Sequence, residues 1–212
     1  MIRNIYTKTL DSGPITPVSA RKEKEKALSW RNTLMEHQKH LDKALSQCIS
    51  EDEYRLTAME LDCLEHVIQL DDFYDFCTDY MCEHGIDTVV DIGCAYGHQS
   101  EAFLEENLGY IGIESSGDSP KWNIDKCMYL TEKYPCKIPD GCRFAVSNMC
   151  FEYFINDYEA LAHDFDTVIL SGLGKNTKVF ELFDVEEIHY RPLIDGNRIW
   201  NLFILTNKHI GD

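Results

Sequence analysis

The chain has 212 residues, 44% of them hydrophobic and 27% charged, with a formal net charge of −17. That is enough apolar material for one packed domain with an extension, and no apolar run approaches the ~20 residues of a membrane span. So acidic a chain repels a phosphate backbone at long range, which disfavours DNA as a partner and favours small-molecule or protein substrates.

The charge is uneven. Residues 1–50 hold nine Lys/Arg and five acids, +4 in sum, which leaves −21 for the remainder. This basic stretch leaves RNA open as a partner, although Arg21-Lys22-Glu23-Lys24-Glu25-Lys26 alternates in sign as a solvated helix face does. The first residues lack the apolar stretch of a secretory leader. Nine cysteines, an odd number with no C-x-x-C and no zinc or iron–sulfur spacing, point to buried free thiols and no structural metal. Cytoplasmic residence is the expectation. His37 and His40 form an H-x-x-H pair that no nearby cysteine or acid cluster completes; both are expected to face solvent.

In chain order, residues 1–19 read as an arm or loop punctuated by Gly13, Pro14 and Pro17. Residues 20–49 read as a long helix with Leu34, Leu41, Leu45 and Cys48 on one face. Ser50-Glu51-Asp52-Glu53 fits a capping box opening a helix to about Leu70, which carries Leu56, Met59, Leu64, Val67 and Ile68. Asp71 or Asp72 is placed to cap a third helix through Phe73, Phe76, Cys77 and Tyr80, stopped by Gly85. From Ile86 the rhythm becomes strand and helix in turn, which implies a parallel sheet. Strands are expected at about 88–92, 110–114, 142–147, 166–171 and 198–205, and helices at about 98–107, 121–133, 150–162 and 175–188. An Asp195-Gly196 hairpin, pairing 188–194 with 198–205, is the alternative near the end.

The most informative stretch is Thr88-Val89-Val90-Asp91-Ile92-Gly93-Cys94-Ala95-Tyr96-Gly97. A β-branched run stops at an acid, two glycines follow, and a helix-like segment comes next. Gly93 and Gly97 can take positive φ and let a ligand approach the backbone closely. Asp91 at the strand end can accept hydrogen bonds from a ligand. A dinucleotide fingerprint needs G-x-G-x-x-G, but Ala95 and His98 stand at its second and third glycine positions. A strand–turn–helix unit without any ligand is the plainer alternative.

Asp-x-Gly-x-x-x-Gly after a hydrophobic strand resembles motif I of the class I S-adenosylmethionine (SAM)-dependent methyltransferases, and Tyr110-Ile111-Gly112-Ile113-Glu114 matches that family's second strand ending in an acid. The resemblance implies an α/β, Rossmann-like three-layer sandwich with a mostly parallel sheet, here preceded by a helical N-terminal region. It implies SAM as cofactor and methyl transfer as activity. Residues 1–84 would then form an arm and helical region, a candidate substrate cap, and 85–212 the SAM-binding domain. Asp91, Gly93, Cys94, Ala95, Tyr96 and Gly97 would curve beneath the methionine part of SAM. Glu114 would take the ribose hydroxyls, with Ser115 beside it. Asn148, after the third strand, would bind the adenine amino group, with Tyr96 and Met149 as apolar contacts. Ser171 ends the fourth strand, where acceptor meets methyl group in this family.

The DNA-methylating branches carry Asn/Asp-Pro-Pro-aromatic or a Pro-Cys nucleophile, and the loop Ser171-Gly172-Leu173-Gly174-Lys175-Asn176 has neither. Candidate general bases are Asp91, His98, Asp118 and His163. The family's closing antiparallel strand pair is not visible after the fifth strand, so residues 199–205 are expected to form an apolar edge covered by Met1–Leu10 or by a second subunit in a homodimer. A SAM-binding regulator without catalysis, and an RNA methyltransferase using the basic N-terminal helix, stand as alternatives.

Overall fold

The computed structural model describes residues 2–4, 17–115, 127–148, 150, 157–171, 177–190 and 200–208. A short strand β1 (Ile2–Asn4) precedes three helices: α1 (Pro17–Leu45), α2 (Glu51–Gln69) and α3 (Asp71–His84). The Ser50 hydroxyl caps α2 by accepting the Glu53 N–H at 3.1 Å. The return bond falls one residue upstream of a capping box, because the Glu53 carboxylate accepts the Ile49 N–H. At α3 the cap position is Leu70, with no side-chain cap, rather than Asp71 or Asp72. Gly85 ends α3 in the left-handed conformation, φ 66°, as expected.

The rest of the chain builds β2 (Thr88–Ile92), α4 (Ser100–Glu105), β3 (Gly109–Ile113), β4 (Cys127–Leu130), β5 (Phe144–Ser147), α5 (Tyr158–Asp164), β6 (Thr167–Leu170), α6 (Thr177–Leu182), β7 (Phe183–Tyr190) and β8 (Trp200–Asn207). All eight strands share one sheet in the order β1-β7-β8-β6-β5-β2-β3-β4. Among the described residues, only β8 runs against the other strands. The central strands are buried on both faces, which is why they read as continuous apolar runs. Alternate residues serve two cores. Val89, Tyr110, Phe144, Val146 and Ile169 pack under α1–α4 with Trp30, Leu34, Leu64, Val67, Phe73, Tyr74 and Met81. Val90, Ile92, Ile111, Ala145, Val168 and Leu170 pack against Tyr158 and Leu161 of α5 and Val179 of α6. The result is the expected three-layer α/β sandwich, with the N-terminal helices forming one outer layer.

Several expectations are corrected. Residues 127–130 form an edge strand inside the predicted helix 121–133; a four-residue apolar run carries too little periodicity to separate the two. The predicted helix 175–188 is a short helix followed by strand β7, whose Glu186 and Glu187 are poor strand formers held by pairing to β8. The strand expected at 198–205 is antiparallel to both neighbours, so the closing strand pair expected to be absent is present as β7 and β8. The hairpin reading was the better one there, although residues 191–199 lie outside the described ones. Since β8 is flanked by β6 and β7, the apolar edge that called for a cover does not arise. The arm does join the sheet, but Ile2–Asn4 pairs with Glu187–His189 of β7. On α2, Leu56 and Met59 are exposed rather than in the core.

The sequence reading also missed the anchor of the helical layer. Trp30 is 2% exposed, packs edge-on against Tyr74, and its indole N–H donates to Asp75 at 2.7 Å. Trp30→Ala should lower unfolding free energy by about 3–5 kcal/mol, since a large cavity opens beneath α1. Urea denaturation would show it; a loss under about 1 kcal/mol would mean α1 does not share the core.

Candidate functional site

The site candidates gather at the C-terminal edge of the sheet. Asp91, the penultimate residue of β2, is 1% exposed, with its carboxylate turned inward. One oxygen accepts both the Tyr110 hydroxyl and the Gln99 amide N–H, each at 2.6 Å. The same Gln99 amide also donates to the Cys94 carbonyl at 3.0 Å. Asp91 thus ties the end of β2 to β3 and to the start of α4 through one of its two oxygens. Burial is the main cause that raises its pKa from 3.8 to about 6; the Tyr110 and Gln99 bonds oppose this, and the Glu114 charge adds to it.

Beyond Asp91 the chain turns through three left-handed residues: Gly93 (φ 80°), Ala95 (φ 47°) and Gly97 (φ 70°). The Gly93 and Cys94 N–H groups both donate to the Ile113 carbonyl, at 2.8 and 3.2 Å, which pins the bend to the end of β3. A Cβ on Gly93 would lie 2.6 Å from Cys150, and one on Gly97 2.6 Å from Tyr129. The close approach that these glycines allow is thus made by the protein's own side chains. Cys94 is buried against Gly112, and burial, with the Asp91 and Glu114 charges, pushes its thiol well above the usual range. The half-exposed rim is left to Gly93, Ala95, Tyr96 and Glu114, with Ser115 exposed.

Glu114 follows β3 and faces the bend. Its carboxylate accepts the Ala95 N–H at 3.0 Å, and Ser115 lies 3.5 Å from its other oxygen. On the other side of Gly93, Asn148 and Ser171 meet: the Ser171 hydroxyl donates to the Asn148 carbonyl, and the Asn148 amide donates to the Tyr74 hydroxyl at 3.2 Å. Asn148 follows β5, which lies on the opposite side of β2 from β3. The expected strands omitted β4, so Asn148 follows the fourth strand counted from β2 rather than the third.

Of the base candidates, His98 is buried under the helical layer and His163 is exposed beside Asp164, on the side where β6 begins. Asp118, Met149, Gly172, Gly174, Lys175 and Asn176 lie outside the described residues. His37, expected in solvent, is half-buried and packs on His98. Gln99, Tyr110, Tyr74 and Cys150 were not singled out from sequence; each acts through a contact between elements that no local motif records. Among the described residues no group of three or more His, Cys, Asp or Glu could hold a metal ion, and no helix is long and apolar enough to cross a membrane.

The strand order β4-β3-β2-β5-β6-β8-β7, with β8 reversed, defines a class of protein: this is the fold of the class I SAM-dependent methyltransferases. Two solved methyltransferases share it. Magnesium protoporphyrin IX methyltransferase (ChlM) from Synechocystis PCC 6803, solved with bound SAM, superposes with a TM-score of 0.51 at 11% identity, over 68% of this chain and 83% of that one. The plantazolicin methyltransferase BpumL, in complex with S-adenosylhomocysteine (SAH), gives 0.50 at 14% identity over 83% of this chain and 100% of that one. WbdD, a bifunctional kinase-methyltransferase, gives 0.48 at 13% identity, and this chain spans about 40% of its length. No protein-family model and no curated protein matches the sequence.

Because its folded-state pKa lies above the unfolded value, Asp91 favours folding most below about pH 4 and progressively less as pH rises through about 6. Asp91→Asn keeps the accepting oxygen and removes the charge. The variant should gain on the parent chain by up to ~3 kcal/mol between pH 4 and pH 7. A stability difference that stays flat with pH would contradict the buried, ionised carboxylate.

Proposed function

We propose that the chain binds SAM and transfers its methyl group to a small-molecule or protein acceptor. One observation carries the reading: the Glu114 carboxylate, one strand over from the bend, is held against it by the Ala95 N–H. The residues present fit the cofactor. Glu114 is half-exposed, acceptor-only when ionised, and beside a hydroxyl at Ser115, a set suited to a sugar diol. Gly93, Ala95 and Tyr96 form the open rim for the methionine part, while Asp91, Cys94 and Gly97 shape the bend from behind.

Bound SAM supplies a methyl group activated by its sulfonium. The protein's part in this reading is to orient and to exclude water. Asn148 and Ser171, at the ends of adjacent central strands, stand on the acceptor side rather than the adenine side. They present an amide and a hydroxyl to an incoming N–H or O–H. Asp91 and His98 are structural in this scheme, since both are buried in contacts that shape the bend. The acidic body, −21 outside residues 1–50, supports a small-molecule or protein acceptor over nucleic acid.

A SAM-binding protein without transfer is the second reading. It is favoured by the way Asn148, Ser171 and Tyr74 already satisfy one another across the acceptor side. Transfer of labelled methyl from SAM to a candidate acceptor, compared with binding alone, separates the two.

Calorimetric titration with SAM and SAH tests the cofactor reading, and absence of heat with both would reject it. Glu114→Ala should weaken binding by ~1–3 kcal/mol, about 5- to 150-fold, if the carboxylate holds the ribose. Unchanged affinity would reassign Glu114 to holding the bend alone.

A further inference from the structure

Where the helical layer meets the glycine bend, side chains from two helices converge on one ring. His98, immediately after Gly97, is 4% exposed. His37 of α1 packs on it with ring centroids 5.3 Å apart and 65° between planes. Glu60 of α2 brings a carboxylate oxygen to 3.6 Å from His98 Nε2. Tyr96, from the bend itself, lies over the ring at 6.3 Å and 24°. Burial, with His37 beside it, lowers the His98 pKa to about 4, so at neutral pH a neutral imidazole meets Glu60 rather than forming an ion pair.

The position of this ring matters to the bend. Ala95 holds a left-handed backbone, φ 47°, that a residue with a Cβ adopts at a cost. Such a conformation persists only where its surroundings over-determine it. Asp91 and Gln99 hold the bend from the sheet side. His98 and Tyr96 hold its second half from the helix side, and that half carries the Ala95 N–H donated to Glu114. Losing the ring would open a cavity beside Tyr96 and Gly97 and let the bend relax.

We propose that His98 is a positioning residue: through it, Glu60 and His37 hold residues 95–97 in the shape that accepts the adenosyl cofactor, so the helical layer sets the affinity of the cofactor site. The proposal rests on the SAM-binding reading above. It predicts that a substitution on helix α2 changes cofactor affinity, and does so only by way of His98.

The test is calorimetric titration of the full chain with SAH, for the unmodified protein, His98→Ala, His98→Gln, Glu60→Leu and the double variant His98→Ala/Glu60→Leu. His98→Ala should bind about tenfold more weakly. His98→Gln, which keeps a polar nitrogen near the Nε2 position, should stay within about threefold. Glu60→Leu should lose about fivefold alone and nothing further on top of His98→Ala, because coupled partners are not additive. Full losses that simply add, or unchanged affinity in His98→Ala or Glu60→Leu with intact circular dichroism, would overturn the proposal. If His98→Ala fails to fold, Glu60→Leu at its partly exposed site decides alone. Should the unmodified chain bind no SAH, the cofactor reading falls and this one with it; if it binds and every variant matches it, this one falls alone.

Discussion

A carboxylate without access to water organises the site. Removing an ionised acid from water is costly unless donors replace the lost hydration. Asp91 receives two, one from Tyr110 on the neighbouring strand and one from Gln99 at the start of the following helix. Gln99 then spends a second N–H on the Cys94 carbonyl, inside the bend. One acid thus fixes strand β2, strand β3 and the start of α4 relative to each other. The left-handed turns at Gly93, Ala95 and Gly97 are possible because their two ends are clamped in this way. The position of Glu114 follows, since it is tied to the same bend through Ala95.

The N-terminal helices are more than an appendage to this arrangement. Trp30, Leu64, Phe73 and Tyr74 share one core with Val89, Tyr110 and Phe144 of the sheet. Two polar contacts carry that layer to the edge where the site lies: Tyr74 to Asn148 on one flank, and His37 with Glu60 to His98 on the other. A helical layer of this kind, packed on the sheet face that carries Asp91, touches both the glycine bend and Asn148. It also explains why buried titratable groups cluster here. Asp91, His98, Tyr74 and Tyr110 all shift toward their neutral forms, because the layer excludes water from them.

Much of this was legible in the residues. The β-branched run at 88–90, the acid that ends it and the spaced glycines announced a strand–bend–helix unit, because parallel strands buried on both faces need apolar runs and tight turns need positive φ. Ser50 announced a helix start and Gly85 a helix stop for equally local reasons. The errors came where a local pattern was short or where a partner strand overruled it. Cys127–Leu130 and Phe183–Tyr190 are strands because β3 and β8 offer them backbone partners, a long-range pairing that outweighs the mixed local preference of residues such as Glu186 and Glu187. Missing β4 then shifted the strand count before Asn148 by one.

The amino-acid sequence by itself determined the elements around the bend, the glycine positions and the acid at 114, since each depends on backbone geometry within a few residues. Only the tertiary structure decided which polar groups stay open at the edge of the sheet and which turn into the protein. It turned Asp91 inward because Tyr110 and Gln99 reach it from 19 and 8 residues away. It set His37 against His98, and Asn148 between Ser171 and Tyr74, across gaps that no periodicity spans. Hydrogen bonds and burial act over distances in space, and the chain's order does not encode those distances one by one.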